Sequence, residues 1–487
     1  MSSPRPLRDG LVNAPTTPAA RAKLLTLLQK DCESHHCFIN KLRFHNHLPH
    51  HLVAAYDMGA TPELLQAIFD EEAPKLKPVD LEGGEVTEEN WTERLDQPAA
   101  YGRYLEFFAA QIAKYGAGKV IEEYVFSPKA NGNGAKMFAR LLGGAFHAFL
   151  QIGFGLEFGH DGMVAAGLAQ TALTESTQPA FYLDQNTDLP LLVVDPVPGT
   201  TLLQLLREVY ASDLLAPVMP YNPDALLSQR IRDIIAKPER GAELQRIYSK
   251  WSLDLSKSPA DIDVDVAQKV EECLVQATLL LAATGRRGYA PRLDFFLMHI
   301  LTSAICLPSL LGALSKPEHK AMVLQGYARA SAMYVLLRGR PRINIPLLMS
   351  YTAEPKPPVK SSANAEAIGA GLPTTNPWLA MIHNGLHHPD AHVLKSIRSL
   401  YYAATHYGAA RPAGSFAGAK DEDEYHDGAG LVLDGSVFVR AAGVISETLG
   451  WVAYGKEPGS WDRSALGWDA AWEGEGKIPY DVQDFGG

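Results

Sequence analysis

Histidine is the residue of this chain whose number and placement point to chemistry. Six of its sixteen histidines fall within HHCFINKLRFHNHLPHH, at His35, His36, His45, His47, His50 and His51. His47 and His51 stand four apart, the spacing that puts two side chains on one face of a helix, and Pro49 suits a first helical turn, which makes His51 the firmer of the pair. A solvated helix entry with capping histidines would also explain the cluster. Three further histidines sit inside apolar helical patterns: His147 in GGAFHAFLQIGFGLEF, His299 in LDFFLMHILTS and His392 in HHPDAHVLKSIRSLYYAATHYG. Each, taken singly, reads as a hydrogen-bonded core residue. Together they imply a shared partner, because buried imidazoles without one leave unsatisfied polar atoms, and a metal ion that accepts all of them removes that cost.

The segment from Pro389 adds a second kind of donor. Asp390 can cap a helix on which His392 and Lys395, three apart, share a face. A lysine buried beside a cation is held neutral by desolvation and like charge, and a neutral amine reacts with carbon dioxide to give a carbamate, an anionic oxygen ligand. The alternative is a surface lysine on an amphipathic helix alongside Arg398.

The elements that must position these residues are helical throughout. Thr61-Pro62-Glu63 supplies an N-cap, a proline at the first helical position and an early acid before Leu64, Leu65, Ile68 and Phe69. Helical periodicity also covers 135–153, 264–284, 291–314, 317–337, 390–407 and 437–452, and strand patterns are hard to find. The expected fold is all-α: one large multi-helical domain over 19–487, with a C-terminal helical subdomain as a variant. Residues 1–18 read as a disordered arm, and the Pro-, Ala- and Gly-rich stretch 354–376 as a loop or lid.

Composition narrows the partners. A net charge of −11 with acids and bases interspersed excludes a phosphate-neutralising surface, so nucleic acid is not expected. The apolar stretches are broken before they reach membrane-spanning length, and the first residues, with no apolar run behind their basic ones, do not read as a secretory signal, so no membrane partner is expected. Four cysteines without a disulfide framework, Cys32, Cys37, Cys273 and Cys306, fit a reducing, cytoplasmic setting. Monomer and dimer are equally compatible with the sequence. No GxSxG, HExxH, Walker A loop, CxxC pair or GxGxxG after a strand is present.

The segments FHNHLPHHLVAAYDMGATPE, EENWTERL with YGRYLEFF, FHAFLQIGFGLEF, DFFLMHILTS, AHVLKSIRSL and SALGWDAAWE, in this order from about Leu24 to Trp472, resemble the questin oxidase-like family of fungal polyketide pathways. The resemblance implies oxidation of anthraquinones and related aromatic polyketides, with ring opening by molecular oxygen. One branch of the family is similar to a non-heme iron dioxygenase whose metal is held by four histidines and a carboxylated lysine. Carried onto this chain, the pattern implies His51, His147, His299 and His392 as imidazole ligands and Lys395 as the carbamate ligand, with His47 as substitute. Gln151 departs from a common family form, which has a second histidine one turn after His147. A fifth, oxygen ligand exceeds the four-coordinate preference of structural zinc and leaves a sixth position open, which favours Fe(II). Phe149, Phe154 and Trp378 are candidates to line a flat apolar pocket for the substrate. Two alternatives stand beside this reading. One is a Baeyer-Villiger-type monooxygenase drawing electrons from NADPH, and the other a non-catalytic binding protein for a pathway pigment.

Overall fold

Helix starts in this chain are marked by side-chain acceptors and prolines that deal with the first, unpaired N–H groups. The computed structural model describes residues 7–14, 17–81, 84–177, 179–184, 186–358, 376–419 and 432–474. Ten helices position the site: α1 Pro18–Ser34, α2 Leu48–Asp57, α3 Pro62–Glu72, α4 His147–Phe158, α5 Asp161–Leu173, α6 Pro259–Ala282, α7 Phe295–Ala304, α8 Pro317–Leu337, α9 Ala391–Ala403 and α10 Val437–Leu449. Thr17, Thr61, Ser258, Asp294 and Asp390 each accept a backbone N–H at the start of α1, α3, α6, α7 and α9. The described residues contain no β-strand, only isolated bridges such as Asp294 with Asp462, so the all-α expectation holds.

The pattern over 291–314 is broken where one helix was expected. It divides into α7 and a short helix Leu307–Ala313, bent by 45°. Pro308, in the first turn of the second piece, lacks the N–H that a continuous helix would need. No single helix among the described residues is long and apolar enough to cross a membrane.

Helix α4 is buried around its whole circumference and forms the axis of the core. Its neighbour α5 approaches so closely that a Cβ on Gly167 would stand 2.8 Å from the backbone nitrogen of Ile152. Helix α9 lies against α2, α7 and α10. The main hydrophobic core runs from Leu7 to Trp461 and is shared by residues on both sides of the expected loop, while Leu466, Ala471 and Trp472 form a small second cluster with Tyr221 and Tyr289. Residues 359–375 of that expected loop or lid lie outside the described residues.

The arm expected to be disordered is anchored where it is described. Over residues 7–14, Leu11 N–H donates to Glu157 at 2.8 Å, and Val12 and Asn13 N–H donate to Asp57 at 3.1 and 2.7 Å. Sequence pattern misses this because the partners are carboxylates at the far ends of α4 and α2. Both acids also clasp Arg398 of α9, whose Nε donates to Asp57 at 2.8 Å and whose Nη2 donates to Glu157. None of the three side chains is more than 2% exposed.

Removing one partner of a fully buried ion cluster strands the others. Arg398→Met therefore should destabilise the fold by about 3–5 kcal/mol, read as a lower midpoint in chemical denaturation. A loss below about 1 kcal/mol would show that the cluster contributes only packing.

Candidate metal centre

Four helices deliver imidazoles to one point. His47 stands at the N-cap position of α2 without a side-chain cap bond, His147 opens α4, His299 lies one turn into α7 and His392 is the second residue of α9. One nitrogen from each falls within 4.8 Å of those of the other three. His147, His299 and His392 are buried, and His47 is partly so.

Hydrogen bonds on the outer nitrogens fix which nitrogen faces inward. His147 Nδ1 lies 2.6 Å from the Gly144 carbonyl and His299 Nδ1 lies 2.8 Å from the Phe295 carbonyl. His392 Nδ1 lies 2.7 Å from Asp390 Oδ1. Carbonyl and carboxylate oxygens only accept, so each Nδ1 carries the proton and each Nε2 presents a lone pair. Outer-shell contacts of this kind are how proteins orient metal-binding histidines.

Nε2 of His299 and of His392, both buried, has no hydrogen-bond partner, and neither does Lys395 Nζ. Nε2 of His147 and of His47 lie 3.0 Å apart. Two ligands about 2.1 Å from one ion and at right angles to each other stand about 3.0 Å apart. The donor set therefore fits a metal ion: four ring nitrogens converge within 4.8 Å, one pair of them at ligand spacing, and those of His299 and His392 have no other partner.

Local backbone strain aims His147. Gly144, Ala145 and Phe146 all adopt left-handed φ, at +54°, +54° and +62°. Ala145 and Phe146 each carry a cost of roughly 1–2 kcal/mol for that conformation. The turn survives because Ala145 N–H donates to Tyr334 Oη at 2.9 Å and the buried Phe146 ring lies against Tyr327 and Tyr334. The strained turn directs the Gly144 carbonyl onto His147. His45 then stacks on the His147 ring, with centroids 3.8 Å apart and planes 10° from parallel.

Electrostatics keep the donors neutral. Burial, ahead of the neighbouring Lys395 and histidines, pushes His47 and His299 well below the usual imidazole range, and His147 likewise. Burial and then Lys395 lower His392 to about 4, against the opposing bond to Asp390. Burial brings Lys395 down to about 8, although Asp390 and Glu72 favour its charge.

His51, expected as an imidazole ligand, is not among the four. Its Nδ1 is bonded to Glu72 on α3, one turn beyond His47, so the helix face that looked firmer from sequence turns outward to α3. His47, the substitute, takes the inner place. His50 is buried beside Phe154, with neither ring nitrogen bonded. Of the aromatic candidates, Phe154 touches His50 and Arg398, Phe149 lies against Phe146 and Tyr327, and Trp378 against Tyr401. Beside Phe296, 6.5 Å from His299, the aromatic ring that abuts the histidine cluster is Phe295, 4.8 Å from His299 and 5.2 Å from His392 between centroids. Sequence reading missed it, as it missed Asp390's second role; the spacing Asp-x-His was the available signal.

A family model described as Questin oxidase-like matches residues 44–400. The chain is 25% identical over 473 residues to the Baeyer-Villiger oxidase mdpL of Emericella nidulans, covering 91% of this chain and 94% of that protein. It is 26% identical over 382 residues to a questin oxidase of Aspergillus terreus, covering 77% and 78%. A questin oxidase of Aspergillus fumigatus is 29% identical over 321 residues, covering 64% of this chain and 69% of its own.

The two histidines of α2 separate by experiment. His47→Ala should abolish metal retention in elemental mass spectrometry of the purified protein, and His51→Ala should retain it. Equal loss in both would show that α2 turns His51 inward.

Proposed function

This chain belongs to the questin oxidase-like family and is an oxidoreductase, and on that premise we propose that it opens a ring of an anthraquinone-type polyketide with molecular oxygen as a mononuclear non-heme iron dioxygenase. The non-catalytic pigment-binding alternative falls with the family assignment. The observation that carries the proposal is the meeting of three imidazoles locked by their outer hydrogen bonds, His147, His299 and His392, with His47, near an unpartnered buried lysine whose charge acts on all four.

In this reading His47, His147, His299 and His392 hold Fe(II) through nitrogen, and Lys395 supplies an oxygen. The Lys395 amine adds to carbon dioxide, forming a C–N bond and releasing one proton, and the resulting carbamate is anionic where the amine was neutral. That charge offsets part of the ion's, which four neutral imidazoles cannot do. Bound ferrous iron supplies the one-electron chemistry that allows dioxygen to react with an electron-rich aromatic. Gly144, Phe295 and Asp390 keep their histidines oriented throughout, and the half-buried Phe295 ring offers a flat apolar surface for a polycyclic substrate beside His299 and His392.

The names of several relatives favour a second reading, a Baeyer-Villiger-type monooxygenase that inserts one oxygen atom and sends the other to water with two electrons from NADPH. Labelled dioxygen separates the two. Both atoms in the ring-opened product, without NADPH consumption, support the dioxygenase; one atom and one NADPH consumed per turnover support the monooxygenase.

Carbamate formation needs the unprotonated amine, whose fraction rises as pH rises through about 8. Recovery of iron binding by apo-protein held at a fixed pressure of carbon dioxide should accordingly quicken between pH 7 and pH 9. Lys395→Ala should lose that dependence and most of its iron. Recovery independent of carbon dioxide in the parent protein would remove the carbamate from the ligand set.

A further inference from the structure

Trp461 lies outside the ligand-bearing helices, yet its contacts lead directly to one of their histidines. Its indole N–H donates to Asp390 Oδ2 at 2.9 Å. The other oxygen of Asp390 is already engaged twice, accepting the backbone N–H of His392 at 2.9 Å and its Nδ1–H at 2.7 Å. The Asp390 backbone is fixed independently: its N–H donates to His388 Nδ1 at 3.0 Å, while His388 Nε2–H donates to the Leu449 carbonyl at 3.0 Å. What remains free is rotation of the carboxylate, a torsion with a broad profile. The indole N–H stops that rotation with a charge-assisted bond.

Trp461 is itself held at only 7% exposure by a short strap. Asp462 N–H donates to the Leu293 carbonyl and Asp462 accepts the Phe295 N–H, each at 2.8 Å, so the strap runs along the start of α7. The Asp462 carboxylate accepts Arg292 Nη2 at 2.6 Å and the Ser464 N–H at 2.8 Å. Arg463 covers the face of Phe295, with its guanidinium carbon 3.8 Å from the ring centroid. One segment thus touches the first turn of α7, which carries His299, and the cap of α9, which carries His392.

We propose that Trp461 is a positioning residue for the metal centre, acting through Asp390 to orient His392 and joining its placement to that of His299. The inference rests on the metal reading above.

Its test uses cobalt(II) as the probe, with affinity measured by chelator competition for the full chain, Trp461→Phe, Asp390→Asn and the double variant. Trp461→Phe should weaken cobalt binding between about 10- and 100-fold while leaving the melting of the metal-free protein close to the parent. In the Asp390→Asn background the same substitution should change affinity less than twofold, because the acceptor it works through is altered. An equal fold-loss in both backgrounds, or no loss in the parent background, overturns the proposal in favour of simple packing. A second measurement needs no change at Trp461: Asp390→Asn should shift one of the seven indole ¹⁵N–¹H signals of the metal-free chain. No shifted indole signal overturns the proposal even if Trp461→Phe fails to fold. Parent protein that takes up no cobalt, whatever its indole spectrum, instead overturns the metal reading and the proposal with it.

Discussion

A single guanidinium fixes the relation among three of the four helices that bring the clustered histidines together. Arg398 projects from α9, one turn beyond Lys395, and meets Asp57 at the end of α2 and Glu157 near the end of α4. Those helices carry His392, His47 and His147. The cluster is fully buried, so its members cannot separate without leaving charge in a low-dielectric interior. Burial raises the Glu157 carboxyl and the two acids together hold Arg398 charged. The arm residues Leu11, Val12 and Asn13 complete the shell by donating backbone N–H groups to the same acids.

With the helices held, the site follows from the cost of orphaned nitrogen. A buried polar atom without a partner costs free energy comparable to a lost hydrogen bond, and here several such atoms share one small volume. Structural histidines in the same chain behave differently. His36 and His388 have both ring nitrogens bonded, His36 to Pro98 and Phe38, His388 to Leu449 and Asp390. His50 and His51 also carry unbonded buried nitrogens, so it is convergence on one point, not the missing partner alone, that marks out His47, His147, His299 and His392.

Strain is concentrated at the same place. The left-handed turn at Ala145 and Phe146 is unfavourable for residues bearing side chains, and it is paid back by the Tyr334 bond and the burial of Phe146. Its product is the direction of one carbonyl and one imidazole. The fourth helix of the histidine cluster, α7, is secured separately: Asp294 caps it and is bonded to the buried Arg338 at 2.6 Å, and the strap at Asp462 runs beside it.

The sequence by itself determined the helical class, most helix starts and the histidines worth weighing, because caps, prolines and apolar periodicity are local and act over three or four residues. It also singled out Lys395, through its spacing from His392. The choice between His47 and His51 was not local: both lie on the first turn of α2, and only the position of α3, which brings Glu72 to His51, decides which ring faces inward. The split of α7 from its successor, the anchoring of the arm and the roles of Phe295, Arg398 and Trp461 likewise depend on partners distant in the chain. Tertiary structure decides these because a lone pair's direction is set by what its other nitrogen bonds to, and that partner can come from anywhere in the fold.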